Sequence, residues 1–135
     1  MSSSGLDIEV LGIDMLVPDA PTALEVRELC VLALASAGID EGHLAVEFVD
    51  AERIQVLNRE YRNIDSPTDV LSFGVDEDGD SAGPRELGDI VICPEHTTDL
   101  REAVVHGTLH LTGMDHEVDD GEMLALQSEL MRWVR

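Results

Sequence analysis

The chain has 135 residues, enough for one hydrophobic core and too few for two. Its 44% apolar content suits an unaided globular fold, and no apolar run is long enough to span a bilayer, which excludes a transmembrane helix. The balance of 29 acidic against 8 basic residues, all arginine, gives a net charge of −21. A field of that sign repels polyanions, so only a local positive spot can hold a phosphate. The repulsion is largely screened beyond about 8 Å in physiological salt. A salty cytoplasm accounts for such a surface more simply than a basic partner does. Cys30 and Cys93 are the only cysteines, and the opening MSSSGLDIEV has no basic segment followed by an apolar one. Both features predict free thiols in a reducing cytosol and no signal peptide.

Leu6 to Ile13 reads as a first strand, with Ile8, Val10 and Leu11 among polar neighbours. The Pro18-Asp19-Ala20-Pro21 break then starts a helix, with Asp19 as the expected cap. Val26, Cys30, Ala33 and Ala37 follow helical spacing, and Gly38 closes that helix. His43 to Val49 is a second strand, and Asp50 caps a short helix whose Ile54, Leu57 and Tyr61 are expected to face the core. Asp69 to Val75 is a third strand, and Asp76 to Glu86 a solvated loop that could serve as a hairpin connection. Leu87 to Cys93 is the fourth strand, and Pro94 ends it. A helix from about Glu95 carries His106 and His110. A last helix follows the capping-box spacing of Asp119 and Glu122, with Met123, Leu126, Leu130 and Val134 on its buried face. The expected fold is a single α/β (α+β) domain over 1–135: a small mixed four-stranded sheet packed with four to five helices.

The run HGTLHLTGMDH carries the chemistry. His106 and His110 are four residues apart, one turn above the other on one helix face, and His116 follows just past the helix-ending Gly113. Ala103 to Leu111 is apolar around much of the helix, so two buried imidazoles there need partners, and a shared metal satisfies both. Three imidazoles without an obvious fourth ligand match the ligand count of a catalytic zinc site with an open position. The spacing is also that of the metzincin zinc helix, but such peptidases need glutamate directly after the first histidine as general base, and this chain has Gly107. Peptide hydrolysis by that route therefore has no base.

HGTLHLTGMDH resembles the signature of the YbeY family, metal-dependent, single-strand-specific endoribonucleases of bacteria that act in ribosomal RNA maturation. NREYRNIDSPTDVLSFG, LGDIVICPE and EMLALQSEL resemble further blocks of that family, so the likeness covers most of the chain from Asn58 onward. The segment PEHTTDLREAVVHG is shorter than its counterpart in the family, which leaves room for one continuous helix or for one helix with a short lead-in. The resemblance implies one zinc ion per chain on His106, His110 and His116, with Arg62 as the functional arginine. A guanidinium forks onto two phosphoryl oxygens as they gain charge, and near a metal it supplies the local positive spot. Beside Glu60 or Asp65, Arg62 would instead be an ordinary surface residue. Asp69 is expected to brace its turn by accepting backbone N–H groups. Asp115 either orients a histidine or caps the last turn.

The resemblance thus implies cleavage of single-stranded RNA, ribosomal RNA above all, in ribosome maturation and quality control. Ribosomal proteins or assembly factors are the implied partners, the cytoplasm the site of action, and no membrane is involved. Either a metal-activated water or the ribose 2′-OH fits as the attacking group. Two other readings fit the same residues: an assembly or adaptor factor with a structural metal, and a metal-dependent hydrolase of another substrate.

Overall fold

The structure, a computed structural model, describes residues 5–15, 20–74, 86–115 and 118–134. Four strands form one mixed sheet in the order β1-β2-β4-β3: β1 (Gly5–Leu11), β2 (Glu41–Phe48), β3 (Val70–Gly74) and β4 (Glu86–Ile92). β1 pairs parallel with β2, and β2 with β4, whereas β3 runs antiparallel to β4 along the far edge. The β3–β4 pairing is that of a hairpin, and its link at 75–85 lies outside the described residues. Among the described residues there are four α-helices: α1 (Ala23–Ser36), α2 (Ala51–Arg62), α3 (Leu100–Leu111) and α4 (Glu122–Val134). The expected α/β architecture and mixed sheet are as observed.

The sheet is buried on both faces by alternation along its strands. Ile90 and Ile92 of β4, with Leu44, Val46 and Phe48 of β2, pack against α1, α3 and α4. Val91 and Leu71 point to the other side, where Ile54 and Leu57 of α2 cover them together with Cys93. Both cysteines are free and buried, and burial pushes the Cys30 thiol up to about 12 and raises that of Cys93. Neither is a nucleophile under ordinary conditions.

Several local expectations shift. The cap of α1 is Thr22, whose hydroxyl accepts from the Glu25 N–H at 3.1 Å, and Asp19 lies outside the described residues. Ala37 is an exposed helix cap and does not belong to the core stripe. Tyr61 is 66% exposed; it leans edge-on over Phe73 with ring centroids 5.0 Å apart, because α2 ends at the rim of the edge strand β3. The buried polar residue of α2 is Asn58, one position past Leu57.

The segment before the histidines is a short lead-in followed by one helix. Pro94–His96 makes a 3-10 turn, and α3 begins only at Leu100, where Asp99 accepts from the Glu102 N–H at 3.1 Å. The start expected near Glu95 is displaced because Thr97 turns its hydroxyl back onto the Cys93 carbonyl at 2.7 Å. In α4 the acidic pair stands two residues ahead of capping-box positions, because the helix begins at Glu122 itself. Asp119 accepts from the N–H groups of Gly121 (2.8 Å) and Met123 (3.0 Å), and Glu122 accepts from that of Asp120 (2.9 Å).

Gly107 fixes how α3 lies on the sheet. A Cβ at this position would stand 2.7 Å from Cγ2 of the fully buried Ile90 and 3.3 Å from the Ser72 hydroxyl. The helix backbone therefore touches the sheet here, and Ser72 donates to the Gly107 carbonyl at 3.2 Å. Alanine gains up to about 1 kcal/mol of helix propensity. The overpacking cost of about 1–3 kcal/mol outweighs that gain. Gly107→Ala is expected to lower the urea midpoint, and an unchanged or higher midpoint would contradict this close approach.

Candidate active site

α3 ends in a Schellman turn. The Gly113 N–H bonds to the His110 carbonyl at 3.0 Å, the Met114 N–H to the Leu109 carbonyl at 3.4 Å, and Gly113 takes a φ of +104° that favours glycine. The turn brings the Met114 carbonyl back over the helix end, where it accepts from His110 Nδ1 at 3.0 Å. One turn earlier, His106 Nδ1 is 2.7 Å from Oε1 of Gln127 on α4. A carbonyl oxygen only accepts, so Nδ1 carries the proton in each ring and the neutral imidazole has its lone pair on Nε2. The two rings are half-buried, with centroids 4.8 Å apart and planes at 80°.

This donor set fits a zinc ion. Imidazole nitrogen is a preferred zinc ligand, and a ligating histidine ordinarily donates its other N–H to an oxygen acceptor, as both rings do here. Among the described residues no group of three or more potential ligands is assembled, and His116 lies outside them. Thr108, between the two histidines in sequence, is fully buried. Its hydroxyl donates to the Val104 carbonyl at 2.7 Å.

The histidines form one wall of a cleft of about 680 Å³. Thr68 through Ser72, entering and forming β3, make the opposite wall, while Gly113, Met114 and Asp115 close one end. Arg62 lines the same cleft, exposed, as the last residue of α2. Its delivery there has a local cause. Asn63 takes the left-handed conformation (φ 61°), Ile64 donates its N–H to the Asn58 carbonyl at 3.3 Å, and the Asn58 amide donates to the Ser66 carbonyl at 2.9 Å. The chain thus folds back across the end of α2 toward Asp69. Asp65 pairs with Arg59 at 3.7 Å and accepts from Gln55 at 3.0 Å, and it forms no ion pair with Arg62 among the described residues.

Asp69 braces its turn as expected: its carboxylate accepts from the Val70 N–H at 2.8 Å, and its carbonyl from the Cys93 N–H at 2.8 Å. Asp115 lines the cleft, and its carbonyl accepts from the N–H groups of Val118 (3.2 Å) and Asp119 (3.1 Å). The Nδ1 acceptors of His106 and His110 are Gln127 and the Met114 carbonyl. Neither acceptor follows from the histidine motif itself. The signal for Gln127 was there: an amide four residues after Met123, on a helix face otherwise filled by apolar side chains. His96 lines a smaller hollow of about 240 Å³ next to the cleft, with Asp99, Glu102 and Gln127.

The Gly107 position also disposes of the peptidase geometry. A Cβ there would run into Ile90 and crowd the Ser72 hydroxyl at the cleft wall, so the close approach of helix and sheet leaves no room at 107 for the glutamate such peptidases need.

Known proteins match this chain along nearly its whole length. The family model described as Endoribonuclease YbeY matches residues 17–135. A protein named Endoribonuclease YbeY from Rubrobacter xylanophilus is 44% identical over 135 residues, covering 94% of this chain and 92% of that one. Its namesake from Azorhizobium caulinodans is 39% identical over 144 residues, covering 90% and 91%. The solution structure of TM1509 from Thermotoga maritima superimposes with a TM-score of 0.54 at 28% identity, covering 91% of this chain and 85% of that one. None of the described helices is long and apolar enough to cross a membrane. With its sheet, its histidine helix and its arginine-lined cleft, the chain belongs to the YbeY endoribonuclease family.

Proposed function

We propose that this protein is a zinc-dependent endoribonuclease that cuts single-stranded RNA in the cytoplasm, during ribosomal RNA maturation and ribosome quality control. The observation that carries the reading is the meeting, in one cleft, of Arg62 from the end of α2 with the imidazoles of His106 and His110. One zinc ion is held by His106, His110 and His116, and when bound it supplies Lewis-acid polarisation of phosphoryl oxygen and acidification of water. The protein's own part is positioning and charge. The Met114 carbonyl and the Gln127 amide fix the two rings in one tautomer and orientation. Arg62 forks onto the non-bridging oxygens as the phosphate gains charge. Asp69 stays bound to its own turn and holds Thr68 and Val70 at the cleft wall. Asp115 frames the end of the cleft next to the third imidazole in sequence. Ribosomal proteins or assembly factors are the proposed partners that bring the enzyme to its RNA.

Purified protein should contain close to one zinc per chain and cleave a labelled single-stranded RNA while sparing the same sequence in a duplex. A chelator should abolish cleavage and added zinc restore it. Full activity after chelation, or equal cutting of the duplex, would remove the proposal. Salt gives an independent check. A basic nuclease loses affinity steeply as salt rises, because binding releases counterions. With a net charge of −21, this chain should cleave equally well or better as salt rises from low to physiological, since screening relieves the overall repulsion. A steep loss of activity over that range would contradict the electrostatic argument.

A further inference from the structure

We infer that Gln127 is a positioning residue for His106, and that its amide is suited to a metal cleft that must also admit an anionic substrate. The inference rests on the zinc reading of the histidines. Gln127 is 9% exposed and sits in the middle of the buried face of α4, between Met123 and the pair Leu130 and Met131. A polar group in that stripe is costly unless hydrogen-bonded, and its Oε1 accepts from His106 Nδ1 at 2.7 Å. This bond fixes the ring's tautomer and plane and turns its Nε2 lone pair away from α4.

The two rings are held by different means. His110 leans on a backbone carbonyl set by the Gly113 turn, which no side-chain replacement alters. His106 Nδ1 is met by a side chain from the last helix. Gln127 also faces the small hollow that it shares with Asp69 and His106, beside the main cleft. Carboxylates are the usual strong acceptors behind a ligating histidine, and glutamate would fit the same space. It would add a negative charge where Asp69 and Asp115 already line the cleft and Arg62 is its one arginine among the described residues. An amide orients the ring without that charge.

Gln127→Met and Gln127→Glu test this against wild type. The readouts are zinc affinity by competition with a chromogenic chelator, the His106 tautomer from ring 15N shifts in zinc-free protein, and KM and kcat on single-stranded RNA. Gln127→Met is expected to weaken zinc binding about 10- to 100-fold and to lose the single Nδ1–H tautomer. Gln127→Glu should restore both while raising KM for RNA more than it lowers kcat. Gln127→Met with wild-type zinc affinity and tautomer overturns the inference. So does Gln127→Glu binding zinc as weakly as Gln127→Met, or, should the methionine variant not fold, Gln127→Glu with a mixed tautomer or an unchanged KM. Zinc uptake by wild type separates the two layers. Its absence overturns the metal assignment and this inference together, whereas normal uptake with an unaffected Gln127→Met overturns the inference alone.

Discussion

Replacing His110 with alanine is expected to strip the protein of zinc and abolish RNA cleavage while the fold stays in place. His110 lies half-buried at the cleft, and its Nδ1 donates to the Met114 carbonyl at 3.0 Å. Losing that bond costs about 0.5–1.5 kcal/mol, small against the stability of a domain. The neighbouring core residues Leu109, Val105 and Ile90 keep their packing. The loss at the metal is far larger, because a site of three imidazoles falls to two and no other histidine lines the cleft besides His106 among the described residues. Zinc by elemental analysis should drop to the buffer background and cleavage to that of the chelated wild type. The far-ultraviolet circular dichroism should be unchanged. A variant that keeps its zinc would remove His110 from the ligand set.

Arg62→Ala should do the opposite at the metal and nearly as much damage to the reaction. Arg62 is exposed at the last turn of α2 and forms no ion pair among the described residues, so the variant should fold and bind zinc as wild type does. Removing one preorganised donor to a developing oxyanion costs about 10²- to 10³-fold in kcat. That range applies here because Arg62 is the one arginine lining the cleft among the described residues. Arg62→Lys should recover only part of the loss, since an ammonium keeps the charge but loses the two-pronged geometry. Single-turnover cleavage under saturating zinc checks both variants. Full activity of Arg62→Ala would return this residue to the ordinary surface.

These two residues also mark how far the sequence reaches. The pairing of His106 with His110 needs only the helical repeat, which is a local property of the chain. The end of α3 at Gly113, the cap at Asp50 and the bracing role of Asp69 are likewise short-range, since each bond spans a few residues. Where local reading failed, packing had overridden it. Tyr61 has core spacing in α2 yet is exposed, because the sheet ends beneath it at an edge strand. In α4 the central buried position is Gln127, with Leu126 only half-buried, since α4 turns its amide toward His106.

The amino-acid sequence by itself determined the strand and helix order, the mixed sheet, the histidine pair and the family, for these rest on periodicity, caps and contiguous motifs. The tertiary structure alone decided that Arg62 shares a cleft with the histidines, that Asp65 turns to Arg59 instead, and that Gln127 and the Met114 carbonyl hold the two rings. It also decided that the Gly107 backbone lies against Ile90 and Ser72 of the sheet. The Arg62 and Gln127 contacts join elements far apart in the chain, and their distances follow from how α2, α3 and α4 pack on the sheet, which no local pattern of residues encodes.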